Sequence, residues 1–284
     1  MKSTMKIAHI HGLRVTSGFD LSEVDPTSTP HFDGDDEDLD RELHQHDDEL
    51  DELQTNLWAN AKLGVPGTGS MLLVLQGMDT SGKGGVVRHV LAPMHPLGCR
   101  AVAFGKPSEE EAAHDFLWRI RPHLPAPGEI VVFDRSHYED VLIQRVEKLA
   151  SPEEIERRYR AIVDFEREVA ASGTRIVKVM LHISRGFQKK NLLDRLHDPE
   201  KLWKFDPHDL VARSRWDEYM EAHQIALERT STPEAPWYCI PGDRKKYGRA
   251  VIKHLVVDVL RQLRQPWPAP RYDPVEALRR LEES

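Results

Sequence analysis

The order of apolar and polar residues along the chain predicts short strands that alternate with longer helices. Five short apolar runs are typical of strands, and they cover residues 71–76, 100–105, 129–134, 174–183 and 236–241. Helical patterns fill the intervals at about 83–93, 109–122, 152–171, 185–197, 207–229 and 244–264. Such an alternation indicates a parallel sheet that is covered by helices on both faces. We therefore expect an α/β fold that binds its ligands beyond the carboxyl ends of the strands.

The N-terminal part of the chain is organised differently. Residues 1–32 show no sustained periodicity, which predicts an arm that is flexible or docked on a partner. Leucines then recur at helical spacing from Leu39 to Leu57, so we expect one amphipathic helix over 36–63. The remainder of the chain is interpreted as a single domain over 33–284, with a core at 70–265 and a lid at about 185–213.

Charge is distributed unevenly along the chain. The protein has 39 Lys and Arg against 47 Asp and Glu, a formal charge of −8, which by itself argues against a polyanionic ligand. Residues 33–52, however, hold 12 acidic side chains and a single basic one, Arg41, so this segment alone carries −11. The rest of the chain is therefore at +3 and is compatible with a polyanion. The acidic run is interpreted as the solvent face of the helix, with a docking tail for a basic partner as the alternative.

The sequence shows no signal for export or membrane insertion. No run approaches the roughly 20 apolar residues of a membrane span, and the N-terminus lacks a continuous apolar segment. The two cysteines, Cys99 and Cys239, are interpreted as buried free thiols. We expect a cytoplasmic protein that binds neither nucleic acid nor membrane and that forms a homo-oligomer, a dimer or a tetramer.

A glycine-rich segment follows the first strand and precedes a predicted helix. Residues 77–85 read GMDTSGKGG, which fits the phosphate-binding pattern G-x-x-x-x-G-K. Glycines let backbone N–H groups converge on phosphate oxygens, and Lys83 adds a mobile positive charge. The other residues predicted to bind phosphate are Gly77, Met78, Thr80, Ser81, Gly82, Gly84 and Gly85. An ordinary glycine-rich turn is the alternative, and the position between a strand and a helix disfavours it.

Two positions depart from an ordinary ATPase loop. Gly84 replaces the Ser or Thr whose hydroxyl usually binds Mg²⁺. Asp79 lies inside the loop, where phosphate would repel a bare carboxylate. An acid at this place can hold a metal ion that bridges to phosphate, or take a proton from an acceptor. A turn-stabilising role is the alternative for Asp79.

The third strand ends in an acid that is followed by a cation. Asp134, at the end of an apolar strand, is typical of the second metal-binding acid of P-loop enzymes. The guanidinium of Arg135 suits a phosphate group, and pairing with Glu139 or Asp140 is the alternative. Arg145, further along the same segment, is another candidate for this pocket.

Cations are frequent after the fourth strand, where phosphoryl-transfer enzymes carry lids. Those predicted to bind a polyanion there are Arg185, Lys189, Lys190, Arg195 and Lys204. A solvated helix face is the alternative for this run. Arg244 and Lys245 follow the fifth strand and are predicted to face the same crevice.

Together these motifs resemble the polyphosphate kinase 2 family. GMDTSGKGG, FDRSHYEDVL, the lid segment that begins QKK, and ERTSTPEAPWY lie within a match from about Leu53 to about Leu263. The resemblance implies a P-loop kinase-like fold, a three-layer αβα sandwich with a five-stranded parallel sheet and a helical lid. It also implies phosphoryl transfer between inorganic polyphosphate and a nucleotide, with Mg²⁺, or Mn²⁺ as a substitute, held by Asp79 and Asp134. Carried over by position, the catalytic residues are Asp79, Lys83, Asp134, Arg135 and Arg145.

The segment 136–142 is similar to the subgroup that accepts nucleoside monophosphates, which has an acid at the position of Glu139. This resemblance implies AMP as the acceptor and ADP as a second one, with GMP and GDP as further candidates. Glu139, Arg244 and Lys245 would then belong to the nucleotide pocket. Two other functions remain compatible with the residues: an ATP-dependent nucleoside monophosphate kinase, and a non-catalytic protein that binds polyphosphate or nucleotide.

Overall fold

Five parallel strands form the central sheet of the computed structural model, which describes residues 4–284. They are β1 (Ser70–Gln76), β2 (Cys99–Ala103), β3 (Ile130–Asp134), β4 (Thr174–His182) and β5 (Trp237–Pro241). Their order across the sheet is β2-β3-β1-β4-β5. Every residue of β1 is buried, because a central strand of a parallel sheet is covered on both faces. The predicted α/β class and the five-stranded parallel sheet are confirmed.

Helices cover both faces of this sheet. Before β3 they are α1 (Ile7–His11), α2 (Asp36–His44), α3 (Asp47–Lys62), α4 (Lys83–Leu91) and α5 (Glu109–Ala112). Between β3 and β5 they are α6 (Glu139–Val146), α7 (Pro152–Ala171), α8 (Arg185–His197), α9 (His208–Ser214) and α10 (Trp216–Thr230), and after β5 come α11 (Lys245–Leu263) and α12 (Pro274–Glu282). Alternate residues of β1 supply two separate cores: Leu72 and Val74 pack in one, and Leu73 and Leu75 in the other.

The first 32 residues differ from the prediction of a separate arm. Within the described part, Val15 and Leu21 are buried in one core and Ile10 in the other. The segment is therefore docked on the chain's own domain, and residues 1–3 of the predicted arm lie outside the described residues.

This N-terminal segment also pairs with the edge of the sheet. The N–H of Val15 donates to the oxygen of Trp237 at 2.8 Å, and the N–H of Cys239 donates to the oxygen of Leu13 at 3.1 Å. The two chains run antiparallel here, unlike the parallel strands of the sheet. The backbone groups of β5 that face outward are thus satisfied by residues more than 200 positions earlier in the chain.

The helix predicted over 36–63 is two helices, α2 and α3, separated by Gln45 and His46. Asp35 caps the first helix with a capping box, and the first turn of the second contains three consecutive acids that begin with Asp47. Acidic side chains favour a helix N-terminus, so the sequence begins a new helix at Asp47.

The acidic run is also not a plain solvent face, because it pairs with the cations of α11 and the residues that flank it. Five ion pairs join the two segments: Asp36–Arg244 (2.9 Å), Asp40–Lys246 (2.7 Å), Asp47–Lys253, Glu49–Arg261 (2.6 Å) and Glu52–Arg264 (2.8 Å). The negative charge of 33–52 therefore belongs to the scaffold, and the solvent-face interpretation is corrected accordingly.

Other boundaries shift for tertiary reasons. The helix predicted over 109–122 is reduced to α5, because Phe116, Leu117 and Ile120 leave the helical path to reach the core. The helix predicted over 207–229 is divided into α9 and α10 at Arg215, whose backbone is not helical. No helix within residues 4–284 is both long and apolar enough to cross a membrane.

Candidate active site

The loop between β1 and α4 has the geometry of an anion-binding loop. Gly77 and Gly82 have φ angles of 139° and 102°, in the region that favours glycine. A Cβ at Gly77 would lie 2.6 Å from the backbone oxygen of Leu181, so the loop needs glycine there for space as well. Thr80 has a φ of 66°, which is strained for a residue with a branched side chain. The glycine-rich segment thus lies between a strand and a helix N-terminus, as predicted.

The side-chain hydroxyl groups of two loop residues are buried away from solvent. Within residues 4–284, the buried side-chain oxygens of Thr80 and Ser81 form no hydrogen bond. Buried polar atoms are normally paired, so these oxygens mark a place for a ligand or water. Lys83 folds over the same loop, and its Nζ donates to the backbone oxygens of Gly77 (2.8 Å) and Met78 (3.3 Å). Burial lowers the pKa of Lys83, although Asp79 opposes this effect.

Arg135 connects the loop with the end of β3. Its guanidinium lies 2.5 Å from Asp79 Oδ1. Burial opposes the ionisation of Asp79, but the charges of Lys83 and Arg135 outweigh burial and lower the pKa of that carboxyl. Asp140, an alternative partner for Arg135 in the sequence, binds Arg158 at 3.0 Å instead. The structure therefore brings the loop acid, the loop lysine and the strand-end arginine together.

The carboxylates of this region suit a hard cation. Asp134 is paired in register with Leu75, one residue before β1 ends. A Cβ at Gly84 would stand 3.8 Å from Asp134 Oδ2, so the space that a loop hydroxyl usually takes is open beside this carboxylate. Among residues 4–284, no group of three or more His, Cys, Asp and Glu could hold a metal on its own. Mg²⁺ needs only one or two carboxylates when phosphate oxygens complete its shell, and Asp79 with Asp134 fits that requirement.

A cleft lies between this loop, α6 and the lid. Its lining includes residues 76–79, Arg135, Glu139, Asp206, Asp209, Tyr219 and His223. Burial raises the pKa of Glu139 even though Arg135 and Lys83 lie nearby. The cavity volume is about 80 Å³, well below the roughly 300–1,000 Å³ of ordinary ligand pockets. The cleft as it stands is therefore too small for a nucleotide.

Side chains of α8 hold the lid against the loop. Gln188 Nε2 donates to the backbone oxygen of Asp79 at 3.3 Å, and Asn191 Nδ2 donates to that of Thr80 at 3.2 Å. Lys245, in the first turn of α11, donates to Asn191 Oδ1 at 3.0 Å. Helix α8, in the predicted lid segment, therefore contacts the loop, and Lys245 contacts α8 rather than lining the cleft.

Asp209 is a site residue that sequence reasoning missed. It lies in the first turn of α9, is 5 % exposed, and lines the same cleft as Asp79. Burial and the negative charge of Asp79 raise the pKa of Asp209 to about 6. Arg195 Nη1 lies 3.2 Å from Asp209 Oδ2, so this predicted polyanion-binding cation is already paired inside the lid. The only signal in the sequence was an acid within a cation-rich lid segment.

The remaining predicted cations fall into two groups. Arg185, Lys189, Lys190 and Lys204 are exposed on the lid. Arg145 and Arg244 lie elsewhere: Arg145 is 3.3 Å from Glu221 on α10, and Arg244 is 2.9 Å from Asp36. Neither lines the cleft, so the structure does not bring these two to the site. Arg145 lies six residues after Glu139 on α6, and this spacing places the two side chains about 240° apart around the helix axis. Arg145 therefore points away from the cleft.

Three further loop residues predicted to bind phosphate are Met78, Gly84 and Gly85. Met78 is buried beneath the loop, whereas Gly84 and Gly85 form the first turn of α4. A Cβ at Gly85 would come within 2.7 Å of the Arg249 guanidinium. A small residue at position 85 therefore lets this cation approach the helix N-terminus.

Several proteins that are similar to this chain have names that refer to phosphoryl transfer with polyphosphate. A protein from Meiothermus ruber called AMP/ADP-polyphosphate phosphotransferase is 42 % identical over 252 residues, which cover 89 % of this chain and 92 % of the relative. An ADP-polyphosphate phosphotransferase from Rhodopseudomonas palustris is 41 % identical over 231 residues, 77 % of this chain and 78 % of that protein. The crystal structure of polyphosphate kinase 2 from Arthrobacter aurescens TC1 superposes with a TM-score of 0.92 at 48 % identity and covers 96 % of both chains.

The family model for polyphosphate kinase 2 matches residues 34–266. This range contains the glycine-rich loop, both predicted metal-binding acids, Arg135 and the lid. The protein therefore belongs to the polyphosphate kinase 2 family.

Proposed function

We propose that this protein transfers the terminal phosphoryl group of inorganic polyphosphate to AMP, reversibly and with Mg²⁺, and that ADP is a second acceptor. The observation that carries the proposal is that Lys83 and Arg135 both lie close to Asp79, beside one cleft. The names of the two relatives suggest the donor and the two acceptors.

Phosphoryl transfer depends mainly on positioning and on stabilisation of negative charge. Lys83 and Arg135 are placed to neutralise charge on the oxygens of the transferred group. When phosphate enters, its oxygens replace the backbone oxygens of Gly77 and Met78 as partners of Lys83. The unpaired hydroxyls of Thr80 and Ser81 then gain an acceptor.

Asp79 and Asp134 would hold the Mg²⁺, and Mn²⁺ is expected to substitute because it also prefers oxygen ligands. A bound ion would supply positive charge that offsets the negative charge of the reacting phosphates. Asp79 has a second task in this proposal, since its ionised carboxylate can orient the attacking oxygen of the acceptor. Its lowered pKa keeps it ionised at neutral pH.

The acceptor would occupy the cleft beside Glu139. Glu139 lines this cleft, and its carboxyl oxygens can accept hydrogen bonds from a nucleotide hydroxyl. Guanine nucleotides are tested as acceptors alongside AMP and ADP, because one relative from Pseudomonas aeruginosa is called GDP-polyphosphate phosphotransferase. The polymer would follow the exposed lid cations Arg185, Lys189, Lys190 and Lys204.

The decisive experiment supplies purified protein with AMP, polyphosphate and Mg²⁺ and measures ADP and ATP formation. Replacing polyphosphate with ATP distinguishes this activity from that of an ATP-dependent kinase, and a single-turnover assay distinguishes it from that of a non-catalytic binding protein. Chelation should abolish turnover, and added Mg²⁺ or Mn²⁺ should restore it. The Asp134→Asn variant, with an unchanged circular dichroism spectrum, serves as the inactive control. Absence of any nucleotide product at every polymer length refutes the proposal.

We also propose a cytoplasmic homo-oligomer, a dimer or a tetramer, on the basis of the family resemblance. Light scattering of the purified protein measures the subunit number directly, and a monomer at micromolar concentration would contradict it.

A further inference from the structure

Arg135 has a backbone conformation that needs support from its surroundings. Its φ is 63°, a left-handed value that is uncommon for a residue with a side chain and is strained unless its surroundings support it. The N–H of Arg135 donates to the oxygen of Leu75 at 3.1 Å, which fixes one end of the turn. The other end runs directly into Tyr138, which is fully buried.

Tyr138 is held by a buried polar network. Its hydroxyl lies 2.8 Å from Glu166 Oε1 and 2.9 Å from Thr230 Oγ1, and it accepts a hydrogen bond from Lys178 Nζ at 2.9 Å. Lys178 also contacts Glu166 Oε2 at 2.5 Å and the backbone oxygen of Thr230 at 2.7 Å. Trp237 Nε1 donates to Thr230 Oγ1 at 2.8 Å. One tyrosine hydroxyl therefore meets groups from β4, α7 and α10.

The turn between Arg135 and Tyr138 is fixed from a second side. Gln76 Nε2 donates to Ser136 Oγ at 3.1 Å, and the same oxygen accepts from the N–H of Tyr138 at 3.2 Å. His137 Nε2 lies 3.3 Å from Glu166 Oε1, so two consecutive residues of the turn contact one buried carboxylate. Ser136, His137 and Tyr138 are all completely buried.

A buried ion pair is a poor source of stability, because desolvation offsets much of its attraction. The pair of Lys178 and Glu166 acts here by fixing the position of the three residues that follow the strained Arg135. We propose that Tyr138, locked by Lys178, Glu166 and Thr230, is a positioning residue that holds Arg135 in its left-handed conformation and directs the guanidinium to the phosphoryl site. The proposal rests on the function proposed above for Arg135.

Tyr138→Phe tests the proposal, because it removes one hydroxyl and leaves the ring and the ion pair in place. We expect kcat to fall about tenfold with little change in KM for AMP. The matched control is Tyr159→Phe: Tyr159 is equally buried in the same core, its hydroxyl has no hydrogen-bond partner within residues 4–284, and its loss should leave kcat unchanged. Thermal melts of both variants report whether either fold is impaired.

A double-mutant cycle with Arg135→Gln separates positioning from general structural support. If Tyr138 acts through Arg135, then Tyr138→Phe costs less than twofold once Arg135 is replaced. An undiminished tenfold loss in the Arg135→Gln background overturns the inference, as does a normal kcat for Tyr138→Phe alone. If Arg135→Gln itself keeps full activity, the proposed role of Arg135 fails instead. Should Tyr138→Phe fail to fold, Thr230→Val is put through the same cycle, since it removes the oxygen that binds the tyrosine hydroxyl.

Discussion

The buried pair of Lys178 and Glu166 allows a quantitative test of how this fold is held together. Both side chains are at most 2 % exposed, and their charged atoms are 2.5 Å apart. The positive charge of Lys178 lowers the pKa of Glu166 against the effect of burial, so the carboxylate is ionised at neutral pH. The Lys178→Met variant removes the lysine cation and leaves a buried carboxylate whose remaining partners are Tyr138 and His137.

Removing one partner of such a pair costs about 3–5 kcal/mol. An unfolding entropy near 2.1 cal/mol/K per residue amounts to about 0.6 kcal/mol/K over 284 residues. The Tm of Lys178→Met should therefore fall by about 5–8 °C. Scanning calorimetry at pH 7 measures the shift, provided that heating is reversible, and urea titration measures the corresponding free energy of unfolding.

Two further variants sharpen the result. Lys178→Met combined with Glu166→Leu removes both charges, and it should recover at least half of the lost stability because no ionised group remains buried. The exposed pair of Arg167 and Asp164, 2.7 Å apart, provides the surface control, and Arg167→Ala should leave Tm unchanged. A Tm for Lys178→Met within about 2 °C of the parent protein, or a double variant less stable than the single one, would refute the reasoning.

Three other outcomes are expected. Asp79→Asn should abolish phosphoryl transfer with an unchanged circular dichroism spectrum, and near-normal kcat would remove Asp79 from the metal site. Each phosphate contact releases counterions, so replacing Lys189 and Lys190 with Gln should reduce the steepness of log affinity for polyphosphate against log salt by about 1–2, by analogy with nucleic acids. A slope unchanged from that of the parent protein would show that these two lysines do not bind the polymer. Burial lowers the pKa of His254 to about 4 from its ordinary 6.5, so the stabilising effect of the neutral ring is complete above pH 6.5 and is lost as the pH falls towards 4. The Tm measured across this range should decline less in His254→Gln than in the parent protein. An identical decline in the two proteins would contradict the assignment.

The strands and the phosphate loop could be predicted from sequence because their signals are local. An apolar run followed by GMDTSGKGG places Lys83 and Asp79 without any knowledge of the rest of the molecule. The lid helix predicted over 185–197 has the same bounds in the structure, where Ser184 caps its first turn.

Long-range pairing could not be predicted in this way. Asp209 and Asp79 line the same cleft although they lie 130 residues apart in the sequence. After the fifth strand, Arg244 pairs with Asp36 and Lys246 with Asp40 of the acidic segment, whereas Lys245 contacts Asn191 of α8. Net charge along the chain indicated a polyanionic ligand, but only the fold distinguishes Lys189, which is exposed, from Arg195, which is paired.

The antiparallel contact between residues 13–15 and β5 has a practical consequence for aggregation. An edge strand with unpaired N–H and C=O groups is a template for another chain, and Trp237 and Ile240 of β5 are apolar. Residues 13–15 cover this edge, because they form backbone hydrogen bonds with β5. A version of the protein that begins at residue 34, where the family match begins, would expose that edge, so we expect it to self-associate.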